Sequence, residues 1–220
     1  MEQSIITSSQ KKVLDILRKQ TALSNRFYFT GGTALAEFYL HHRLSEDLDF
    51  FSEEEFSLSP INSFVHKLSA ALNLTKITHR NQFGLHTFFL HAPNEELKID
   101  FNYYPFSALE IRKKYDGLAV DSLRDIAVNK LQTIATQPRS RDFIDLFCIV
   151  KKTGWAIEDL RKEARNKFDW YVDAVQLGSR FLMVKDVKDY PRMIIPFDMS
   201  QCEAFWIKEA KKLENEILKE

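Results

Sequence analysis

Two aspartates flank a single leucine at Asp47-Leu48-Asp49, and apolar Phe50 and Phe51 follow. Read as a strand, Asp47 to Phe51 alternates. Leu48 and Phe50 turn to one face, and Asp47 and Asp49 turn to the other. Such a strand belongs in a sheet with one packed side and one side that carries charge. Side by side, the two carboxylates repel, and a cation removes that cost. Oxygen donors on a short rigid element suit Mg²⁺ or Mn²⁺, ions that bridge protein carboxylates and substrate phosphates.

An Asp-x-Asp pair alone arises by chance on many surface strands, so its weight comes from its surroundings. Phe27-Tyr28-Phe29-Thr30 reads as a short strand ending at Gly31-Gly32, a pair that tolerates tight backbone angles. Thr33 to His41 then reads as a helix with Ala34, Leu35, Phe38 and Tyr39 apolar. A strand, a glycine turn and a helix start together make a phosphate cradle, to which the Thr33 hydroxyl adds a bond. The helix is short, so the Asp47 strand can return beside the first. Asp100, between Ile99 and Phe101, projects from the face opposite to those two residues. If its strand pairs with the Asp47 strand, three acids converge. Three acids, a metal and a phosphate cradle suit phosphoryl or nucleotidyl transfer.

Elsewhere the pattern is mixed at first and then helical. Ser8 to Leu23 reads as one amphipathic helix and Pro60 to Leu72 as another. Leu74 to Arg80, Leu85 to His91 and Leu97 to Tyr103 read as strands, with a hairpin turn at Pro93-Asn94-Glu95 and a last short strand at Ala119-Val120. Beyond Asp121, helices are expected at Ser122 to Thr136, Arg141 to Lys151, Ile157 to Lys167, Trp170 to Met183 and Gln201 to Lys219. The expected class is α+β, with an α/β core at residues 1–120 and a helical part at residues 121–220 packed against it to complete a cleft.

Lys and Arg number 31 and so do Asp and Glu, so the overall basic footprint of a nucleic-acid binder is absent. The basic stretches Arg112-Lys113-Lys114 and Pro138-Arg139-Ser140-Arg141 read as solvated surface. Cys148 reads as a buried small hydrophobe, and no Cys/His spacing suggests zinc. No apolar run reaches the roughly 20 residues of a membrane span, so a cytoplasmic protein is expected. Lys130 reads as an exposed helix lysine, Arg141 and Asp145 as a helix-face pair, and Phe168-Asp169-Trp170-Tyr171 and Trp206 as helix packing in preference to a base-stacking platform.

The run Gly31-Gly32-Thr33-Ala34-Leu35, then His42-Arg43-Leu44-Ser45-Glu46-Asp47-Leu48-Asp49-Phe50-Phe51, resembles the AbiEii/AbiGii toxin family of the nucleotidyltransferase superfamily. Lys98-Ile99-Asp100, Asp125 to Lys130 and Arg141 to Leu146 continue the likeness, which spans roughly residues 27–150. The resemblance implies a nucleotidyltransferase-like mixed sheet with flanking helices and a helical C-terminal part. It implies Asp47, Asp49 and Asp100 as metal ligands and catalytic acids, Gly31, Gly32 and Thr33 at the nucleotide, Lys130 as a triphosphate contact, and Asp142 as a base or an orienting residue. The implied activity moves an NMP from an NTP to an acceptor hydroxyl with release of pyrophosphate. The acceptor is expected to be RNA such as tRNA, in a toxin with a cognate antitoxin. A transferase acting on small molecules and a catalytically silent nucleotide-binding protein of the same fold are the rival readings.

Overall fold

A computed structural model of the chain describes residues 4–217. Two compact units divide it, Met1–Ser122 and Leu123–Glu220. The first is built on a seven-stranded mixed sheet. Its strands are β1 (Tyr28–Thr30), β2 (Asp47–Ser52), β3 (Lys76–Gln82), β4 (Leu85–Ala92), β5 (Glu95–Tyr103), β6 (Lys113–Tyr115) and β7 (Leu118–Val120). Their spatial order is β3-β4-β5-β2-β1-β7-β6. Hairpins make β3/β4, β4/β5 and β6/β7 antiparallel. Strand β2 runs parallel to β5 and antiparallel to β1.

Alternation decides which way β2 faces. Leu48 and Phe50 are fully buried, while Asp47 and Asp49 are not. Phe50 stacks on Phe101 of β5 at 5.4 Å between ring centres, and Phe29 of β1 lies 5.3 Å from Phe50 on the other side. Helices α1 (Ser8–Arg18) and α4 (Leu58–Leu72) complete this core with Val13 and Leu17, and with Ile61, Phe64 and Leu68. A capping box at Thr7 and Gln10 starts α1.

The helix expected over Ser8 to Leu23 is broken. Gln20 is extended (φ −102°, ψ 94°), and a short α2 (Thr21–Ser24) follows. At 100° per residue, Leu23 would lie roughly 240° around a continuous helix from Leu17, off the apolar face. The break lets Leu23 be buried. The helix expected at Thr33 to His41 starts two residues earlier. It consists of α3 (Gly31–Leu35) followed by a wider π turn (Ala36–Leu40) that His41 closes in the left-handed conformation. Strand β6 was not expected. All three of its residues are exposed, so it carries no apolar signal. Arg112 beside it is not simply solvated either. Its guanidinium lies 3.5 Å from the centre of the Tyr28 ring and pairs with Glu53 at 2.7 Å and Asp121 at 3.0 Å.

The second unit is helical: α5 (Leu123–Thr136), α6 (Ser140–Thr153), α7 (Ile157–Phe168), α8 (Ala174–Leu182) and α9 (Met199–Ile217). The expected end of the last helix at Lys219 lies outside the described residues. Helix α8 starts at Ala174, not at Trp170, because the Asp173 carboxylate caps it by accepting from the Gln176 N–H at 2.8 Å. Trp206 is fully buried, packed edge-on to Phe143 at 5.2 Å, and its indole N–H donates to the Phe143 carbonyl at 3.1 Å. Cys202 is buried, which pushes its thiol up to about 12, whereas Cys148 is only half-buried, contrary to expectation.

Candidate active site

Register assembles the acids. In the parallel β2/β5 pair Asp47 stands opposite Lys98 and Asp49 opposite Asp100, so all four side chains share one face. The Lys98 ammonium donates to Asp100 Oδ2 at 2.7 Å and to Asp47 Oδ2 at 3.2 Å. Thr87, opposite Asp100 on β4, donates to Asp100 Oδ1 at 2.6 Å. Asp100 is thus buried with both oxygens engaged. Burial opposes the charge on Lys98, but the Asp100 hydrogen bond and the charges of Asp100, Asp47 and Asp49 outweigh it. The lysine pKa is held above its ordinary value.

The glycines stand against these acids. In β1/β2, Thr30 is paired with Asp49, which places Gly31 at the carboxylate. Gly31 has φ +76°, and a Cβ there would overlap the Asp49 carboxylate. A Cβ on Gly32 would overlap the buried Arg43 guanidinium, which donates to the Leu44 carbonyl at 2.9 Å. Glycine is therefore demanded at Gly31 by backbone angle and close approach together, whereas a side chain at Gly32 would have to displace the end of Arg43. The Thr33 hydroxyl does not reach toward an anion as expected. It is buried and donates to the Asp47 carbonyl, tying α3 to β2. What Thr33 can offer a phosphate is its backbone N–H. The end of β1 is fixed from its other edge, because Thr30 donates to the buried Asp121 carboxylate at 2.9 Å and Tyr39 to the Asp121 carbonyl at 2.7 Å.

Three carboxylates on one sheet face form a hard-oxygen donor set, which is the chemistry of Mg²⁺ or Mn²⁺. Among the described residues no three acidic, His or Cys side chains already converge as a metal cage. The Lys98 ammonium stands between Asp47 and Asp100, so a positive charge already sits where a divalent cation would relieve the repulsion. An ion bound by these carboxylates would have to displace that ammonium.

A second ionic cluster lies in the helical unit. Lys130 is buried, against the expectation of an exposed helix lysine. Its ammonium holds Asp142 Oδ1 at 2.7 Å and Asp145 Oδ2 at 2.8 Å, joining α5 to α6. Arg139 holds Asp142 Oδ2 at 2.9 Å. Burial alone would raise the Asp142 pKa. The charges of Lys130 and Arg139 and their hydrogen bonds overcome it and hold the carboxyl below the ordinary aspartate value. A fully buried carboxylate with both oxygens engaged suits holding Lys130 in place better than taking a proton.

Lys98 and Thr87 are the residues that the candidate set lacked. Lys98 was readable, because period two from Asp100 puts it on the same face. Thr87 was not, because only the β4/β5 register reveals it. Asp145 was read only as a surface partner of Arg141.

Known proteins bear out the reading of the fold. Residues 14–214 match the family described as nucleotidyl transferase AbiEii toxin, type IV TA system. An uncharacterized protein of Aquifex aeolicus (strain VF5) is 32% identical over 165 residues, covering 72% of this chain and 75% of that protein. The crystal structure of JHP933 from Helicobacter pylori superposes with a TM-score of 0.59 at 19% identity, covering 98% of this chain and 96% of that one. A second H. pylori structure, whose assignment as a nucleotidyltransferase is provisional, gives 0.60 at 19% identity, covering 97% and 98%. At that identity the likeness concerns the fold, a mixed nucleotidyltransferase sheet with C-terminal helices. The match over most of the sequence decides the family: the chain belongs to the AbiEii nucleotidyl transferases.

Proposed function

We propose that this protein moves an NMP from an NTP to an acceptor hydroxyl with release of pyrophosphate, and that the acceptor is RNA. One observation carries the chemistry: the β2/β5 register sets Asp49 against Asp100, with Asp47 on the same face and Gly31 against Asp49. Asp47, Asp49 and Asp100 would hold Mg²⁺ or Mn²⁺. When bound, the ion neutralises triphosphate charge and polarises the α-phosphoryl group. The chain supplies the rest. The backbone N–H groups of Gly31, Gly32 and Thr33 bind phosphate oxygens, with nothing larger than hydrogen on either glycine to block the approach. Thr87 orients Asp100 through its hydroxyl. In the transfer the acceptor oxygen forms a bond to the α-phosphorus, the bond to the β-phosphate oxygen breaks, and the hydroxyl proton passes to a carboxylate or to solvent.

The family's description as a toxin of type IV toxin–antitoxin systems supports a toxin role and a cognate antitoxin here, and the RNA acceptor follows the resemblance read from the sequence. The balanced charge of the chain favours a small-molecule acceptor instead. One assay separates the two readings. Purified protein is incubated with each labelled NTP, Mg²⁺, and either total tRNA or a panel of small hydroxyl acceptors. Label on RNA that disappears in Asp49→Asn supports the proposal. Label on small acceptors alone moves the protein to the second reading, and no transfer to any acceptor sinks both.

A further inference from the structure

A concavity lies wholly within the helical unit. It encloses about 320 Å³, at the lower end of the roughly 300–1,000 Å³ typical of small-molecule sites. Its apolar lining includes Leu131 of α5 and Leu177 of α8. The α5 residues that reach it, Leu131, Gln132 and Ala135, lie roughly 100–200° around the helix from Lys130 at 100° per residue. It therefore opens on a different face of α5 from the Lys130 cluster.

One wall is cationic. Helix α7 contributes Arg161, Lys162 and Arg165, with Glu158 at 3.4 Å from Arg161 and 3.9 Å from Lys162, and Asp159 at 3.8 Å from Lys162. The other wall is aromatic. Trp170 and Tyr171, on the segment between α7 and α8, remain 37% and 54% exposed. Helix packing, the role expected for them, is what Trp206 shows in the same unit, with no exposure and its N–H bonded. Trp170 and Tyr171 instead leave ring surface in water, and a planar ligand would cover it. The Arg165 guanidinium already lies 5.1 Å from the centre of the Tyr171 ring, so the cationic and aromatic walls meet. Flat aromatic faces beside cations are complementary to one chemical unit, a nucleobase joined to a phosphate.

We infer that this cavity binds a nucleotide, with its base against Trp170 and Tyr171 and its phosphate toward Lys162 and Arg165. The inference deepens the proposed function, because an unpaired nucleotide of the RNA acceptor is one source of that unit, and a free nucleoside monophosphate is the other. The test uses the full chain without divalent cations and fluorescence anisotropy of an end-labelled oligoadenylate of about eight nucleotides, with AMP as competitor. Lys162 is 66% exposed at its side chain, so Lys162→Glu leaves the fold intact, and Trp170→Ala is the second variant. Each is expected to weaken oligonucleotide binding by about tenfold. Asp49→Asn is expected to bind as the wild type does, which separates this site from the acid face. Displacement by AMP at concentrations similar to those of unlabelled oligonucleotide identifies the free nucleotide as the ligand, and displacement by oligonucleotide alone identifies the RNA strand. The inference is overturned if neither probe binds, if both pocket variants keep wild-type affinity, or if Asp49→Asn is the variant that loses binding. None of these results touches label transfer at the acid face.

Discussion

At Gly31 the left-handed backbone and the Asp49 carboxylate impose separate demands. Gly31→Ala is expected to cost about 1–2 kcal/mol of stability from the backbone alone. Because the new methyl group must move Asp49, it should also reduce nucleotidyl transfer by more than tenfold. Denaturant midpoints and the labelled-NTP assay measure the two effects, and an alanine variant with full activity would contradict the geometry. Lys98 makes a different prediction. Its folded pKa is raised, so its ion pairs contribute stability in full below the ordinary lysine value near ~10.4 and lose it as pH rises through the folded value. Wild-type stability should therefore fall more steeply than that of Lys98→Met on the alkaline side, and the two curves should run parallel near neutrality. Both residues were readable in the chain, Gly31 as the end of a strand and Lys98 by alternation. The hydroxyl of Thr33 was misread because a side chain's partner depends on which strand returns beside it, and sequence spacing does not say that.

Between elements, ionic staples stand out. Lys130 and Asp142 couple α5 to α6 inside the helical unit, with the aspartate fully buried and the lysine side chain 8% exposed. Lys130→Met would leave Asp142 and Asp145 without their ammonium and is expected to destabilise the protein by about 3–5 kcal/mol. The Asp142 carboxyl is held below its ordinary pKa, so its contribution is complete above about pH 4 and is lost as pH falls through the folded value. Denaturant titrations across the acid range should show a shallower fall for Asp142→Asn than for the wild type. Elements were read well where hydrophobic periodicity was strong, as in β2, β5, α4 and α6. They were read poorly where a backbone device intervened: the Gln20 break, the π turn after Leu35 and the Asp173 cap. Strand β6 was passed over although Asp116-Gly117, with φ of 50° and 90°, is the hairpin turn that joins it to β7. In that case the turn residues carried the signal and the strand did not.

At the scale of the whole chain, charge is balanced, and no described helix is long and apolar enough to cross a membrane. RNA binding by such a protein would draw on a few local cations instead of a broad field. With the three cations of the α7 wall as contacts, the logarithm of affinity for a single strand should fall against the logarithm of salt with a slope of about −2. A slope several times steeper would point to a larger basic surface. Class and order of elements were legible from the pattern, whereas the sheet order was not, because long-range pairing leaves no local mark.

That sheet ends at β3 on one side and β6 on the other, and among the described residues neither strand has a neighbour beyond it. Unpaired strand edges invite a second molecule to add on and begin an aggregate. Both edges are guarded by positive charge, with Lys76 and Arg80 on β3 and Lys113 and Lys114 on β6. The lysines that hid β6 from a hydrophobic reading thus protect its solubility. Replacing Lys113 and Lys114 by threonine should leave the acid face intact and bring on concentration-dependent self-association, visible by light scattering.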